Sequence, residues 1–236
     1  MNHFNFPKAI FISIFSLALS QISLAQNQSF EWAKRMGGTD WEIGISIAND
    51  NNGNIYTTGR FTGTVDFDPG AGIINLTSKG QDDIFIHKLD TAGNLLWVKQ
   101  MGGTNTDIGY SITTDNNDNV YTTGVFADTV DFNPGAGTTN FSSISGTFDI
   151  FIQKLDASGD FLWAKQIGGT NVQTVRSITI DKSGNVYTTG CFRGTVDFDP
   201  GIDTANLTGD WDIFIQKLDA SGNFLWVKQM GGTGGD

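Results

Sequence analysis

The residues best suited to chemistry are acidic side chains in a VDFDPG motif that occurs three times with small variations. The pairs are Asp66 and Asp68, Asp131 and Asn133, and Asp197 and Asp199. Side chains two residues apart on a strand point to the same side. Such a pair can hold a calcium ion together with backbone carbonyls, or it can act as an acid–base pair. The five aspartates of these motifs are therefore candidate calcium ligands.

The motif also has a structural interpretation. An Asp before a Pro-Gly turn can accept hydrogen bonds from loop N–H groups. Asn133 removes one carboxylate from the second copy, which weakens any role that requires both. We favour capping of the loop over calcium binding, and calcium binding over catalysis. Calcium is the only cofactor that the sequence suggests.

A binding site is better sought among residues that the repeats do not share, because a residue present in every copy is most simply structural. Trp41 and Trp211 lack tryptophan counterparts, and aromatic side chains on exposed loops often recognise ligands. Glu42 and Asp107 occupy matching positions in the loops between repeats, where Gln173 is the third counterpart. We take Trp41, Glu42, Asp107 and Trp211 as candidate ligand contacts; the alternative for Glu42 is a solvated loop residue.

Catalytic groups are scarce. His87 replaces a glutamine found in the other copies, and a single histidine supplies neither a metal cluster nor a catalytic triad. Cys191 is the only cysteine, so an intrachain disulfide is impossible. We therefore expect a protein without enzymatic activity.

The net charge of the chain limits the classes of molecule that we expect it to bind. The 236 residues carry a formal net charge of −11, with a pI near 4.4. Phosphate backbones are bound by basic patches, so we expect no nucleic-acid partner. The expected partner is an extracellular protein or a glycan.

The N-terminal segment has the pattern of a signal peptide. Residues 9–19 are almost wholly apolar, and Ser23-Leu24-Ala25 ends the segment with a peptidase site. A membrane anchor would need a longer apolar run, of about 20 residues. We predict cleavage after residue 25, no membrane span in the mature chain, and a secreted or cell-surface protein comprising residues 26–236.

The remainder of the chain is repetitive. Trp32, Trp97, Trp163 and Trp226 mark successive copies at intervals of 65, 66 and 63 residues. Each full copy contains four short runs rich in β-branched and aromatic residues, here named a to d, with Asp-Gly or Asn-Gly turns between a and b and between c and d. The a–b and c–d turns should lie at one end of the resulting sheet. The longer b–c segments and the crossings from d to the next a should lie at the other end.

Four strands per repeat predict the blades of a β-propeller. The repeats span about residues 37–101, 102–167 and 168–230. The fold is therefore expected to be all-β: three complete four-stranded blades plus one N-terminal strand of a further blade. Propellers close with about four to eight blades. We thus expect an incomplete ring, either a fragment of a longer repeat protein or a chain that associates with itself through its open blade edges.

The pattern SI..D..GNVYTTG.F, followed by DIFIQKLD.SGN.LW, resembles the bacterial SBBP repeat, named for a seven-bladed β-propeller. The resemblance covers about residues 30–236. The GTVDFDPG segment is similar to the version found in secreted proteins of Bacteroidetes-type bacteria. The family implies a propeller but no defined activity. The D..G...W turn is also similar to the tryptophan-docking motif of quinoprotein propellers, although its spacing is one residue shorter and it implies no cofactor here.

Three functions remain open at this point. The first is a binding or scaffold module that presents long acidic loops on one face. The second is a structural spacer or adhesin repeat. The third is a propeller enzyme acting on an extracellular polysaccharide or protein, which would require a cluster of catalytic residues that the sequence does not display.

Overall fold

The computed structural model describes residues 30–144 and 146–232, and every regular element in these ranges is a β-strand. In chain order the strands are β1 (Gly37–Gly38), β2 (Glu42–Asn49), β3 (Ile55–Phe61), β4 (Thr64–Asp66), β5 (Asn75–Thr77), β6 (Asp83–Leu89), β7 (Leu95–Met101), β8 (Ile108–Thr114), β9 (Val120–Phe126), β10 (Thr129–Asp131), β11 (Asn140–Ser142), β12 (Asp149–Leu155), β13 (Phe161–Gly169), β14 (Gln173–Ile180), β15 (Val186–Asp197), β16 (Asn206–Leu218) and β17 (Phe224–Met230). All of them belong to the compact unit that begins at Trp32. The predicted signal peptide, residues 1–25, lies outside the described residues.

The strands form three antiparallel blades in which neighbours in sequence are neighbours in space. The first blade is β2-β3-β6-β7. The second is β8-β9-β12-β13, and the third is β14-β15-β16-β17. The prediction of an all-β propeller with three complete blades is confirmed, and the sheets of the described residues do not close into a ring. Within the described ranges, no helix has the length and apolarity that a membrane crossing requires.

The tight turns are held by the aspartate that starts each one. In the first a–b turn, Asp50 Oδ1 accepts hydrogen bonds from the backbone N–H groups of Asn52 and Asn54, both at 2.9 Å. Gly53 lies between them with a φ of 79°, which glycine adopts without steric cost. Lys88, at the end of strand c, places its ammonium 3.7 Å from Asp50. The a–b and c–d turns therefore share one end of the blade, as the repeat pattern predicts.

The b–c segments are the main difference from the sequence expectation. They are not long open loops but β-hairpins, formed by β4 and β5, by β10 and β11, and by the adjoining ends of β15 and β16. Each hairpin packs toward the preceding blade. Gly168 and Gly169, at the end of the second blade, pair with Asp197 and Val196 in the hairpin of the third blade. Gly37 and Gly38 pair in the same way with the first hairpin.

The Gly-Gly pair that follows each d strand permits this pairing. A Cβ on Gly38 would collide with the carbonyl oxygen of Thr64, and a Cβ on Gly169 would lie 2.5 Å from the carbonyl oxygen of Thr195. Side chains at these positions would push the hairpin off the preceding blade. The recurring Gly-Gly pair therefore lets the backbone at the end of strand d lie against the hairpin of the following blade.

Two of the apolar core clusters lie between blades, and a third, formed by Phe61, Val65, Phe67 and Phe85, lies within the first blade and its hairpin. One cluster joins Ile150 and Ile152 of the second blade to Val175, Phe198 and other residues of the third. A second cluster joins the first blade to the second in the same way, with Phe132 of the second hairpin buried against it. The second and third hairpins thus place Phe132 and Phe198 in the core between two blades, and burial of this apolar surface joins neighbouring blades.

Candidate functional site

The first aspartate of each VDFDPG motif caps the hairpin loop. Asp66 Oδ1 accepts hydrogen bonds from the N–H groups of Asp68 and Ile74, at 3.0 and 2.9 Å. Asp131 and Asp197 make the same two contacts in their own hairpins. These carboxylates satisfy backbone donors that the turn would otherwise leave unpaired. The capping interpretation therefore has direct geometric support in all three copies.

The second acidic position caps the Pro-Gly turn itself. Strand β4 ends at Asp66, so Asp68 lies beyond the strand, and its Oδ1 accepts from Gly70 N–H at 2.7 Å. Asn133 and Asp199 do the same at 2.9 and 2.7 Å. Only one oxygen is needed, which explains why an amide is acceptable in the second copy. Across the described residues there is no group of three or more His, Cys, Asp or Glu side chains placed to hold a metal, and calcium binding stays a prediction.

His87 holds the first hairpin in place through a hydrogen bond to the hairpin backbone. Its side chain is fully buried, and Nε2 lies 3.0 Å from the carbonyl oxygen of Phe67. Gln153 and Gln216 donate through Nε2 to the equivalent carbonyls of Phe132 and Phe198, both at 2.6 Å. Burial lowers the pKa of His87 to about 4, so the ring is neutral near pH 7. Its Nε2 must carry the proton to donate to Phe67.

Glu42 and Asp107 hold the crossings between blades in place. Glu42 is the first residue of β2, and its Oε1 accepts from Gly38 N–H at 3.3 Å. Asp107 is fully buried and accepts from Gly103 N–H at 2.8 Å and Ala127 N–H at 3.0 Å. Neither side chain is a solvated loop residue. Both are committed to backbone contacts within the fold.

The third crossing uses an amide at the same position. Gln173 Nε2 donates to the carboxylate of Asp149 at 2.7 Å and to the carbonyl oxygen of Phe148 at 2.6 Å. In the second crossing the counterpart of Asp149 is Asp83, and its charge acts on Asp107 without a hydrogen bond between the two carboxyl groups. Burial, together with the charges of Asp83 and Asp128, raises the pKa of Asp107 to about 7, against the opposing effect of its two N–H donors. Burial also raises the pKa of Asp83.

The two unmatched tryptophans are at the surface, but in different settings. Trp41 is 76% exposed in the crossing that precedes β2. Trp211 is less exposed and lies within β16, not in a loop, at a bulge where the pairing with β15 shifts. Its φ of 70° is unusual for a residue with a side chain. The loop prediction is therefore right for Trp41 and wrong for Trp211, because the bulge lets the strand continue through residue 211.

Two recurring positions vary from blade to blade on this side of the molecule. One lies in the crossing just before strand a and holds Trp41, Thr106 or Val172; the other lies just before strand c and holds Asp82, Phe148 or Trp211. The two positions adjoin: Asp107 N–H, beside Thr106, donates to the carbonyl oxygen of Asp82 at 2.8 Å, and Gln173, beside Val172, donates to that of Phe148. We call these six residues the crossing face.

The sequence does not single out Phe148 and Val172, although both are exposed beside one another on the crossing face. Their first-blade counterpart is polar: Asp82 accepts from Arg60 at 3.0 Å and from Thr62 at 2.8 Å. The sequence signal for these two positions is that the type of side chain differs from one repeat to the next. It becomes informative only once the structure shows that the two positions are neighbours.

A groove of about 370 Å³ lies between the third hairpin and the last strand of the second blade. Lys165, Asp197, Asp199 and Pro200 line it, together with Phe141 and neighbouring backbone. Asp197 and Asp199 both contribute an oxygen to capping, as described above. The groove is therefore mainly the gap between the hairpin and the adjacent strand, lined by residues that stabilise the fold. The side chains that differ from repeat to repeat lie on the crossing face instead.

Fold and surface together define this chain as a β-propeller repeat protein with an open set of blades. A family model described as "Beta-propeller repeat", SBBP, matches residues 96–125 and 162–190. Each matched window runs from strand d of one blade through the crossing to strand b of the next. The resemblance to this repeat therefore holds for the segment that joins consecutive blades.

Two curated proteins are similar to this chain. An uncharacterized WD repeat-containing protein, L264, of Acanthamoeba polyphaga mimivirus is 28% identical over 231 residues, which is 86% of this chain and 17% of that protein. Regulatory protein FlaEY of Caulobacter vibrioides is 27% identical over 145 residues, which is 61% of this chain and 15% of that protein. The chain spans less than a fifth of the length of either relative.

Proposed function

We propose that this chain is an exported binding or scaffold module that recognises an extracellular protein or a glycan through its crossing face. The observation that carries the proposal is the contrast between the interior and this face. Inside the blades, the aspartates that cap the turns, the buried phenylalanines of the hairpins and the Gly-Gly pairs between blades recur almost unchanged. On the crossing face the same positions carry unrelated side chains, including Trp41, Phe148 and Trp211. A constant scaffold with a variable surface is the arrangement expected of a recognition module.

The chemistry of the face suits these ligands. Trp41 follows Asp40 and Trp211 follows Asp210, so each exposed indole has a carboxylate beside it in the chain. Asp210 also forms an exposed ion pair of 3.0 Å with Arg193. An aromatic face can stack on a sugar ring or fill a protein pocket, and an adjacent carboxylate can accept hydroxyl or amide hydrogen bonds. The acidic surface further disfavours polyanionic ligands.

Export is proposed from the signal-peptide pattern of residues 1–25. Purified secreted material from the source cells should begin at Gln26. Material that begins at Met1 would contradict export through this segment.

We propose that the module binds without catalysing a reaction. Two residues whose pKa lies closest to neutrality or whose type suits acid–base chemistry are already used: Asp107 is buried against two N–H donors, and His87 is buried against the Phe67 carbonyl. A substrate would have no access to either group. A structural spacer, the alternative, would share this interior but would not use the crossing face.

Binding to glycan and extracellular-protein arrays separates these alternatives. The purified mature chain, labelled on surface lysines, should bind a restricted set of array members, and unlabelled chain should compete. Uniform background on every array, with correctly folded protein, would favour the spacer. Turnover of a bound polysaccharide would contradict the absence of catalysis.

A further inference from the structure

Consecutive blades are fastened by a tryptophan contact that occurs three times. The indole N–H groups of Trp32, Trp97 and Trp163 donate to the carbonyl oxygens of Thr91, Ala157 and Ala220, at 3.0, 3.1 and 3.3 Å. Each accepting residue lies in the c–d turn of the following blade. The indole also lies against the glycine of that turn, and a Cβ on Gly159 would lie 3.1 Å from Trp97. The contact is specific, because it requires both a turn carbonyl and a bare glycine.

Trp226 is the exception. It is the fourth tryptophan of the series, and its ring packs edge-on to Tyr187 at 6.2 Å. Within the described residues, its indole N–H has no hydrogen-bond acceptor. The face around it is unusually apolar for an exposed surface. Ile213 and Met230 are 41% and 46% exposed, whereas their counterparts in the two internal junctions are buried.

The first blade holds the complementary surface, and the N-terminal segment covers part of it. Residues 32–38 contact the first blade through Trp32, through Lys34 against Gly93, and through the two-residue ladder of Gly37 and Gly38. Residues 32–36 belong to no β-ladder. The remainder of this face is open: Ile47 is 70% exposed, while its counterpart Ile112 is buried.

The segment at the N-terminus and the last strand carry the same docking residues. Residues 32–38 read WAKRMGG and residues 226–232 read WVKQMGG. Trp226, Lys228 and Met230 therefore match Trp32, Lys34 and Met36 position by position. Strand β17 is paired with β16, so docking of β17 would also bury the apolar face of the third blade. Residues 32–36 of the N-terminal segment are paired with no strand and would bury only their own side chains.

We propose that the first blade of one chain accepts the last strand of a second copy, residues 224–232, in exchange for its own residues 32–38. The second copy would then bury its Ile213 and Met230 against the Ile47 face, as the internal junctions do. The N-terminal segment acts as an intramolecular competitor that holds self-association in check. This is an interaction surface for a second chain, and the residues that form it are distinct from the six residues of the crossing face.

The association constant measured by analytical ultracentrifugation tests the exchange. Trp32→Ala removes the competitor's anchor, and we expect it to lower the dissociation constant for self-association by about tenfold or more. Trp32→Phe, which keeps the packing but removes the donor, should have a smaller effect in the same direction. Adding Trp226→Ala to Trp32→Ala should return the chain to the monomer. Circular dichroism should confirm that each variant melts cooperatively.

A peptide provides a second measurement on the same site. A synthetic peptide of residues 224–232 should dissociate oligomers of the Trp32→Ala chain, and a peptide with Trp226→Ala should not. The proposal is overturned if Trp32→Ala associates no more than the parent chain. It is also overturned if the double variant associates as strongly as Trp32→Ala, because another surface would then be responsible.

Discussion

The indole N–H of Trp97 donates to the carbonyl oxygen of Ala157, 3.1 Å away, and this bond joins the last strand of one blade to the turn of the next. The same carbonyl accepts from the ammonium of Lys88 at 3.0 Å. Two donors from one blade thus meet at one oxygen of its neighbour. At the other end of the strands, the Gly-Gly pair and the hairpin also contact the neighbouring blade. Each blade is therefore held to its neighbour at both ends of its strands.

Gly159→Ala should weaken this junction. The residue has a φ of 80°, and a new Cβ would lie 2.6 Å from Lys99 and 3.1 Å from Trp97. We expect a loss of about 2–3 kcal/mol in the free energy of unfolding, measured by urea denaturation. Gly146→Ala is the matched control, because its φ is 81° and nothing lies within 4 Å of the added Cβ. Equal losses in both variants would show that only backbone strain matters.

His87→Gln should be close to neutral for stability. Gln153 and Gln216 make the same bond to the hairpin carbonyl from the equivalent position. His87→Leu leaves the Phe67 carbonyl unsatisfied in a buried site and should cost about 1–3 kcal/mol. Thermal melts of the two variants provide the comparison. A destabilisation by Gln as large as that by Leu would mean that the ring itself is required.

Asp107 should make stability depend on pH. Its pKa in the folded protein is about 7, above the ordinary value of 3.8. The folded state therefore holds this proton more tightly than the unfolded state does, and the stability so gained is lost as the pH rises from about 4 through 7. Asp107→Gln, which copies Gln173, should remove this dependence. Between pH 5 and 8, the unfolding free energy of the parent should fall relative to the variant by on the order of 2 kcal/mol.

Parallel pH profiles of the parent and Asp107→Gln would contradict that assignment. Asp83 and Asp149 also have pKa values raised by burial, so they contribute a slope of the same sign to both proteins. Because the charge of Asp83 acts on Asp107, the difference between the two profiles reports Asp107 together with its interaction with Asp83. Asp149→Asn serves as a control that should change the slope of both backgrounds equally.

The VDFDPG motifs should stabilise the chain without calcium. Asp66→Ala removes the acceptor for two N–H groups and should cost about 1–2 kcal/mol in calcium and in chelator alike. Asp199→Asn keeps the single oxygen that is used and should have little effect, as Asn133 indicates. Scanning calorimetry with and without calcium decides the matter. A calcium-dependent rise in melting temperature that Asp66→Ala or Asp199→Asn abolishes would establish a metal site.

The repeat pattern was sufficient for the blades and their turns, because each turn depends on local chemistry such as Asp50 accepting from Asn52 and Asn54. It was insufficient for the b–c segments. The first and third hairpins pair with the Gly-Gly backbone that precedes their blade, and Phe67, Phe132 and Phe198 of the three hairpins are buried in apolar clusters. The Gly-Gly pairings join residues about half a repeat apart, and local preference does not encode them.

The candidate site was predicted only in part. Trp41 was found because its type is unmatched among the repeats. Glu42 and Asp107 were selected for their charge, but each accepts from a backbone N–H four residues earlier in its own crossing, and Asp107 also accepts from Ala127 N–H. Phe148 and Val172 were missed, since their proximity depends on a contact between a crossing and the start of a c strand.

The location of ligand binding tests the account most directly. For a ligand found on the arrays, isothermal titration should be carried out with the parent, Trp41→Ala, Trp211→Ala and Leu162→Ala. Leu162 is an exposed apolar residue on strand β13, away from the crossing face, and serves as the control. We predict that at least one tryptophan variant loses about tenfold or more in affinity while Leu162→Ala binds like the parent. Unchanged affinity in both tryptophan variants, with all four proteins folded, would contradict recognition through the crossing face.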